Sequence, residues 1–156
     1  MSVTEVVPSI ESRARLAGAQ FSDAYRIEIE GTALDAGTAA LLIMGRSPRW
    51  VRALLDLRNF LVTPFGLKTS GEPTTKGIIG LFPVVSATPE RLVAGFDDRH
   101  LDFRIVVEVA PAGATRQQVT LTTLVRMHNR LGRAYLAIVM PFHRVIARAM
   151  LRQVAI

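Results

Sequence analysis

Two alternating stretches in the second half of the chain limit its fold more than any other feature. In HLDFRIVVEV the odd-numbered positions from Leu101 to Val109 are all apolar, and in QQVTLTTLVRMH those from Val119 to Met127 are apolar except for Thr123. Strand side chains alternate between two faces, so each stretch predicts a strand with one buried face. Because only the short turn PAGAT intervenes, we expect the two strands to pair antiparallel.

Three further segments have the pattern of strands. In AYRIEIEG, Tyr25, Ile27 and Ile29 alternate with charged residues, and residues 78–85 and 91–97 are also strand-like. The sequence therefore predicts five strands, of which the later ones form an antiparallel meander. With the helices described next, this order predicts the α+β fold class.

A long amphipathic helix is predicted over residues 132–154. At 100° per residue, seven apolar residues share about a third of its circumference. They are Tyr135, Ile138, Val139, Phe142, Ile146, Ala149 and Met150. Arg144, Arg148 and Arg152 lie on the opposite side, so we expect the apolar stripe to pack on the sheet and the arginines to meet solvent. Pro141 removes one hydrogen bond and should bend the helix.

Two shorter helices are predicted after the first strand. Asp35 can cap a helix that Gly45 ends, and Ser47-Pro48 starts a second helix, PRWVRALLDLRNFLV. Serine caps well and proline suits the first helical position. A polar loop, residues 69–77, follows.

Arg58 stands on the second of these helices, near its apolar side. A partly buried arginine needs an anionic or carbonyl partner. Two interpretations stay open: an ion pair with Asp56, Glu28 or Glu30, or contact with the carboxylate of a ligand.

Bulk composition excludes several classes of protein. The 156 residues fit one domain over 21–156, preceded by an irregular arm over 1–20. Cysteine is absent, which excludes disulfides, thiolate metal sites and a cysteine nucleophile. The start of the chain lacks the pattern of a secretory signal, and the longest apolar run, residues 134–142, is far shorter than the ~20 residues of a membrane span. We therefore expect a soluble, cytoplasmic protein.

The net charge of +6 raises the question of nucleic-acid binding. The basic residues are spread along the whole chain, however, and aromatic residues make up only 6%. No aromatic residue interleaves with a basic run, as a base-stacking platform requires. The sequence thus argues against a nucleic-acid partner.

The three histidines offer little support for a metal site. His100 lies near aspartates that fit a turn and a strand edge, and His128, with Asn129 and Gly132, fits the sharp turn from a strand into a helix. His143 falls beside the apolar stripe, where it is either a buried, hydrogen-bonded histidine or an acid–base group. Phosphate-binding and serine-hydrolase motifs are missing. We expect no metal and no cofactor.

Four segments resemble a known superfamily in their order and spacing: GAQFSDAYRIEI, SPRWVRALLDLRNFLV followed by GLK, HLDFRI, and HNRLGRAYLAIVMPFHRVI. The chain resembles the START and polyketide-cyclase-like superfamily, and within it a bacterial family of uncharacterised domains, some attached to nucleotide-sugar-epimerase-like proteins. The resemblance implies a helix-grip fold, in which an antiparallel sheet wraps a long C-terminal helix. It also implies a cavity for a small, mostly apolar ligand. Such folds usually have about seven strands, against the five predicted here.

The predicted function is the binding of a small hydrophobic, amphipathic or aromatic molecule in that cavity. Apolar walls with a few hydroxyls are typical of such pockets. The residues predicted to line it are Trp50, Arg58, Phe60, Phe96, Phe103, Ile105, Thr123, Met127, Tyr135 and Phe142. Two alternatives stay open: a cyclase- or dehydratase-like enzyme with Tyr135 or His143 as acid or base, and a membrane-surface or interaction role for the arginines.

Tyr135 and Phe142 carry most of this prediction, because they lie two turns apart on one side of the long helix. Both are expected to face Phe103, Ile105 and the neighbouring strand. If Phe142 is a core residue, its replacement by alanine should cost about 3–5 kcal/mol. The Tyr135 hydroxyl is expected to orient the ligand.

Overall fold

The computed structural model describes residues 3–31, 34–45, 78–79, 82–97 and 101–155 of the chain. Within these ranges it does not describe the side chains of Met44, Ile78, Ile79, Phe82, Pro83, Phe96, Tyr135 and Ala155. The predicted second helix, which begins at Ser47, and the loop over residues 69–77 lie outside the described residues.

The described residues form seven strands and three α-helices. In chain order these are β1 (Thr4–Val6), α1 (Ile10–Arg13), β2 (Phe21–Glu30), α2 (Ala36–Gly45), β3 (Ile78–Ile79), β4 (Phe82–Ala87), β5 (Arg91–Asp97), β6 (Leu101–Pro111), β7 (Arg116–Met127) and α3 (Arg130–Arg152), with a 3-10 turn at Gln153–Ala155. The strand order is β1-β2-β7-β6-β5-β4-β3, and every pair is antiparallel. Six strands make the main ladder, and the two-residue β3 is added at β4. The predicted α+β class and antiparallel meander are confirmed.

The alternation of β6 and β7 has the predicted register. Phe103 pairs with Val125, Ile105 with Thr123, and Val107 with Leu121. These odd-numbered residues lie on one face of the sheet, where Tyr25 and Ile27 of β2 join them. We call this the helix face, because α2 and α3 both pack on it.

The two helices divide the helix face between them. α2 packs over β5 and β6, and α3 packs over β2 and β7. Asp35 caps α2 as predicted, because its Oδ1 accepts the Thr38 backbone N–H at 2.7 Å, and this hydrogen bonding lowers the pKa of Asp35. Asn129 caps α3 by accepting the Gly132 N–H, in an extended conformation at φ −153°. The chain thus turns from β7 into α3 at the Asn129 cap. Gly132 was predicted to belong to this turn, but it is a residue of α3.

α3 packs with a different side from the predicted one. Ala147, Leu151 and Val154 are buried against the sheet and α2, whereas Phe142 is 52% exposed. The prediction that Phe142 is core is therefore wrong. The apolar residues of α3 form two arcs around the helix, one near Phe142 and one near Leu151. The periodicity of the sequence favours the arc near Phe142, but the other arc packs on the sheet. The exposure of Arg144, Arg148 and Arg152 is confirmed. Their predicted position opposite Ile138 is not, because Arg152 and Arg148 lie about 40° and 80° from it around the helix.

The arm over residues 3–20 was predicted to be irregular but contains α1 and also β1, an edge strand that pairs with β2. The second face of the sheet is covered by α1 and the residues that follow it. Leu16 packs there with Val93, Val106 and Leu124. A polar network fastens α1 to the sheet. In it Glu108 accepts hydrogen bonds from the Ser12 hydroxyl and, at 2.8 Å, from Arg91, which also contacts Glu11 at 3.0 Å. The sheet therefore carries a buried layer on both faces.

Candidate functional site

A cluster of polar side chains lies where α3 crosses β2 and β7 on the helix face. We call it the seam, and it consists of Asp23, Tyr25, Thr123, His143 and Arg148. The alternation of β2 puts Asp23 and Tyr25 on the same face, and the sheet register puts Thr123 directly beside Asp23. α3 brings His143 and Arg148 down onto them. The seam thus joins two strands and one helix that are distant in sequence.

His143 and Asp23 form a partly buried pair. The His143 Nε2 lies 3.0 Å from Asp23 Oδ2 and 3.3 Å from Oδ1. The side chains are only 19% and 11% exposed, respectively. The Phe21 ring meets the imidazole edge to face at a centroid distance of 6.1 Å. A carboxylate that holds one ring nitrogen fixes the orientation and tautomer of the other, which suits proton transfer.

Tyr25 has an unusual environment for a phenol. Its side chain is 1% exposed, and its hydroxyl has no hydrogen-bond partner among the described residues. The Arg148 guanidinium lies over the ring, 5.2 Å from its centroid, a favourable cation–π geometry. Burial, with the nearby carboxylates of Asp23 and Glu5, raises the pKa of Tyr25. The phenol therefore stays neutral near pH 7 and can both donate and accept a hydrogen bond.

Several predicted pocket residues lie on the helix face near the seam. Thr123 is part of it, and Ile105 is its buried neighbour on β6. Phe103 packs partly buried against the same core. Met127 stands farther along β7, opposite Leu101.

The other predicted residues are not brought to the seam by the described part of the structure. Phe142 is half exposed, although it follows Pro141 and precedes His143 in α3. Trp50, Arg58 and Phe60 lie outside the described residues, as do the side chains of Phe96 and Tyr135. Their predicted role stays a prediction.

The second face holds another Asp–His pair and a cavity. His128 Nε2 lies 2.8 Å from Asp102 Oδ1, and both residues stand near the end of the β6–β7 ladder. A cavity of about 150 Å³ lies between residues 7–11 and the sheet, with a polar lining that includes Arg26, Glu108 and Thr122. Ligand pockets usually measure roughly 300–1,000 Å³. This cavity is on the wrong face and too small for the predicted ligand.

No group of three His, Asp or Glu side chains that could hold a metal ion occurs among the described residues. The side chains of the seam suit the binding of a small molecule rather than a metal ion. They can offer a neutral phenol, a histidine with a fixed orientation and a cation to one small molecule, beside the apolar side chains of β6 and β7.

Fold and seam together define an α+β protein that holds an Asp–His pair and a buried phenol between an antiparallel sheet and one long helix. The chain belongs to the family described as "Protein of unknown function (DUF2867)", which matches residues 15–150. This agrees with the predicted resemblance to an uncharacterised family.

A crystal structure of a conserved protein from Geobacillus kaustophilus is similar to this chain. It has 12% sequence identity and a TM-score of 0.44, over 86% of this chain and 92% of that chain. A likeness of this degree carries no argument about function. No curated protein matches the chain.

Proposed function

We propose that the protein binds a small, mostly apolar molecule on the helix face, with the seam supplying the polar contacts. The observation that carries the proposal is the Tyr25 hydroxyl, which is buried and has no hydrogen-bond partner among the described residues. Buried phenols ordinarily have one. An oxygen or nitrogen of a bound molecule beside Tyr25 would fill that need.

The surroundings of Tyr25 indicate the chemistry of the molecule. Ile105 and Phe103 favour an apolar or aromatic body. Arg148 and His143 favour a polar or anionic head group. The proposal is therefore an amphipathic ligand, held with its head at the seam and its body along β6 and β7. A helix-grip architecture and a cytoplasmic location belong to the same proposal.

We expect Tyr25→Phe to weaken ligand binding about two- to tenfold and to leave stability unchanged or slightly higher. The hydroxyl makes no hydrogen bond that the folded protein would lose, while one hydrogen bond to a ligand is worth roughly 0.5–1.5 kcal/mol. Displacement of a fluorescent fatty acid, checked by native mass spectrometry on purified protein, measures the affinity. Thermal unfolding measures the stability.

Thr122→Val is the matched control. Thr122 is the other buried hydroxyl without a hydrogen-bond partner among the described residues, and it lies on the second face of the sheet. We expect this variant to bind as the wild type does. Equal loss in both variants would place the site elsewhere, and no binding of any fatty-acid or aromatic probe would refute the proposal.

A second candidate function is acid–base catalysis on a ligand at the same place, as in a cyclase or dehydratase. The Asp23–His143 pair favours it, because a partly buried histidine that a carboxylate orients suits a general base. The base would remove a proton from the carbon next to a carbonyl group and return it to the product.

We expect Asp23→Asn and His143→Gln each to slow such a reaction by roughly 10²–10⁴-fold. The measurement is deuterium uptake from D₂O next to the carbonyl of a bound aromatic ketone, followed by NMR. Asp102→Asn is the control, because it breaks the Asp102–His128 pair on the second face. If wild type and Asp23→Asn exchange at the same rate as free ketone, the protein binds without catalysing this step.

A further inference from the structure

Three large apolar side chains of α3 face solvent. Ile138 is 69% exposed, Phe142 52% and Val145 56%. They are spaced four and three residues apart, so they form one short stripe along the helix. The opposite side of the helix is occupied, because Ala147 and Leu151 pack on the core. Exposed apolar patches of this kind mark interaction surfaces.

Arginines flank this stripe on one side. At 100° per residue, Arg130 and Arg152 lie within about 80° of Ile138 around the helix, and both are exposed. α3 contains five arginines and no acidic residue. We call Ile138, Phe142 and Val145, together with Arg130 and Arg152, the basic stripe.

The distribution of charge along the chain also favours an anionic partner for this surface. All 13 acidic residues lie in residues 1–108, whereas residues 109–156 contain seven arginines and no carboxylate side chain. The C-terminal 48 residues, which carry the basic stripe, are therefore strongly cationic, while residues 1–108 are close to neutral. The partner of such a surface is an anion with an apolar layer beneath its charges.

We propose that the basic stripe docks the protein on an anionic membrane surface. Apolar side chains enter the boundary between head groups and acyl chains, and arginines at their side pair with lipid phosphates. Nucleic acid is the poorer fit, because it would leave Ile138, Phe142 and Val145 in water.

α3 lies on the membrane in this proposal and does not cross it. By length and composition it is the one described helix that could span a bilayer, which alone is weak support for a span. Five arginines oppose insertion. Its packing on β2 and β7 also holds it to the sheet.

Co-sedimentation of purified protein with vesicles tests the proposal. We expect binding to vesicles in which about a third of the lipid is phosphatidylglycerol, none to pure phosphatidylcholine, and loss of binding between about 0.1 and 0.5 M salt. Ile138→Ser with Phe142→Ser should weaken partitioning at least about tenfold. Arg130→Gln and Arg152→Gln should each weaken it about fivefold.

Matched controls lie on the N-terminal arm. Val7 and Ile10 are 80% and 86% exposed, and Arg13 and Arg15 are exposed as well. Serine at Val7 and Ile10, or glutamine at Arg13 and Arg15, should leave vesicle binding unchanged. Circular dichroism checks that each variant is folded.

Three results would overturn the proposal. The first is no binding to the anionic vesicles, or equal binding to neutral ones. The second is binding that duplex DNA abolishes and that the serine variants do not change, since this describes a general polyanion site. The third is a wild-type dimer that the serine variants dissociate without any vesicle binding, because the stripe would then contact a second copy of the chain.

Discussion

Leu151→Ala is expected to lower the free energy of unfolding by about 2–5 kcal/mol. Leu151 is fully buried in the core cluster on the helix face, where α3 meets the core strands and α2. Truncation removes buried apolar surface and leaves a cavity that the neighbouring strands cannot fill without breaking their ladder. Urea unfolding followed by circular dichroism measures the change through the transition midpoint.

Phe142→Ala on the same helix is the comparison that tests how α3 is rotated. Because the ring is half exposed, we expect a loss of about 1 kcal/mol or less, well below the value for a core phenylalanine. Should Phe142→Ala be as costly as Leu151→Ala, the arc predicted from the sequence would face the core in solution, and the basic stripe would not exist.

Gly95→Ala is expected to cost about 3 kcal/mol or more. Gly95 lies in β5 opposite Arg104, with φ +149°, and a Cβ atom there would stand 2.1 Å from the backbone oxygen of Phe103. Strain in the backbone dihedrals contributes about 1–3 kcal/mol. The clash adds to this, because the oxygen belongs to a neighbouring strand that moves only if the β5–β6 ladder moves.

Gly113→Ala separates the two contributions. Gly113 has φ +109°, and no atom lies within 4 Å of the position that an alanine Cβ would take, so only dihedral strain opposes the substitution. We expect a loss of roughly 1–2 kcal/mol. If both substitutions lower the free energy of unfolding by the same amount in urea, the clash with Phe103 adds nothing to the dihedral strain, and this prediction is wrong.

The sheet could be predicted from the sequence because its main signal is local. Alternation in β6 and β7 sets which residues share a face, and the short turn sets their direction, so Ile105 opposite Thr123 follows from spacing alone. β1 could not be predicted, since three residues hold too little pattern. Val106 and Leu124 are buried on the second face because the N-terminal arm covers them. The alternation within a strand does not indicate whether another segment covers its second face.

The side of α3 that packs on the sheet could not be predicted from the sequence for a different reason. Its apolar residues occupy two arcs, one around Phe142 and one around Leu151. Periodicity weighs both arcs and cannot tell which of them meets the sheet. Ala147, in the second arc, is small enough to let the helix lie close to the sheet, a preference that appears only when both partners are present.

The seam was half visible in the sequence. His143 was predicted either to be hydrogen bonded or to act as an acid or base. The structure shows its hydrogen bond to Asp23, and the acid–base role stays a prediction. Asp23 and Tyr25 were missed as site residues. The available signal was the odd-numbered face of β2, where a carboxylate at position 23 interrupts a run of apolar and aromatic residues. That Arg148 reaches Tyr25 from its exposed position required the structure.

The pairing of β2 with β7 also has a consequence for synthesis on the ribosome. Glu30 pairs with Arg116 and Phe21 with Val125, and the Asp23–His143 bond closes a separation of 120 residues. Because translation adds about 5–20 residues per second, β7 is synthesised roughly 5–20 s after β2, and the two strands can pair only then. The seam assembles later still, after α3 has been released. A nascent chain that stops before α3 therefore has a sheet but no site, so no ligand can act as a folding aid until α3 has been synthesised.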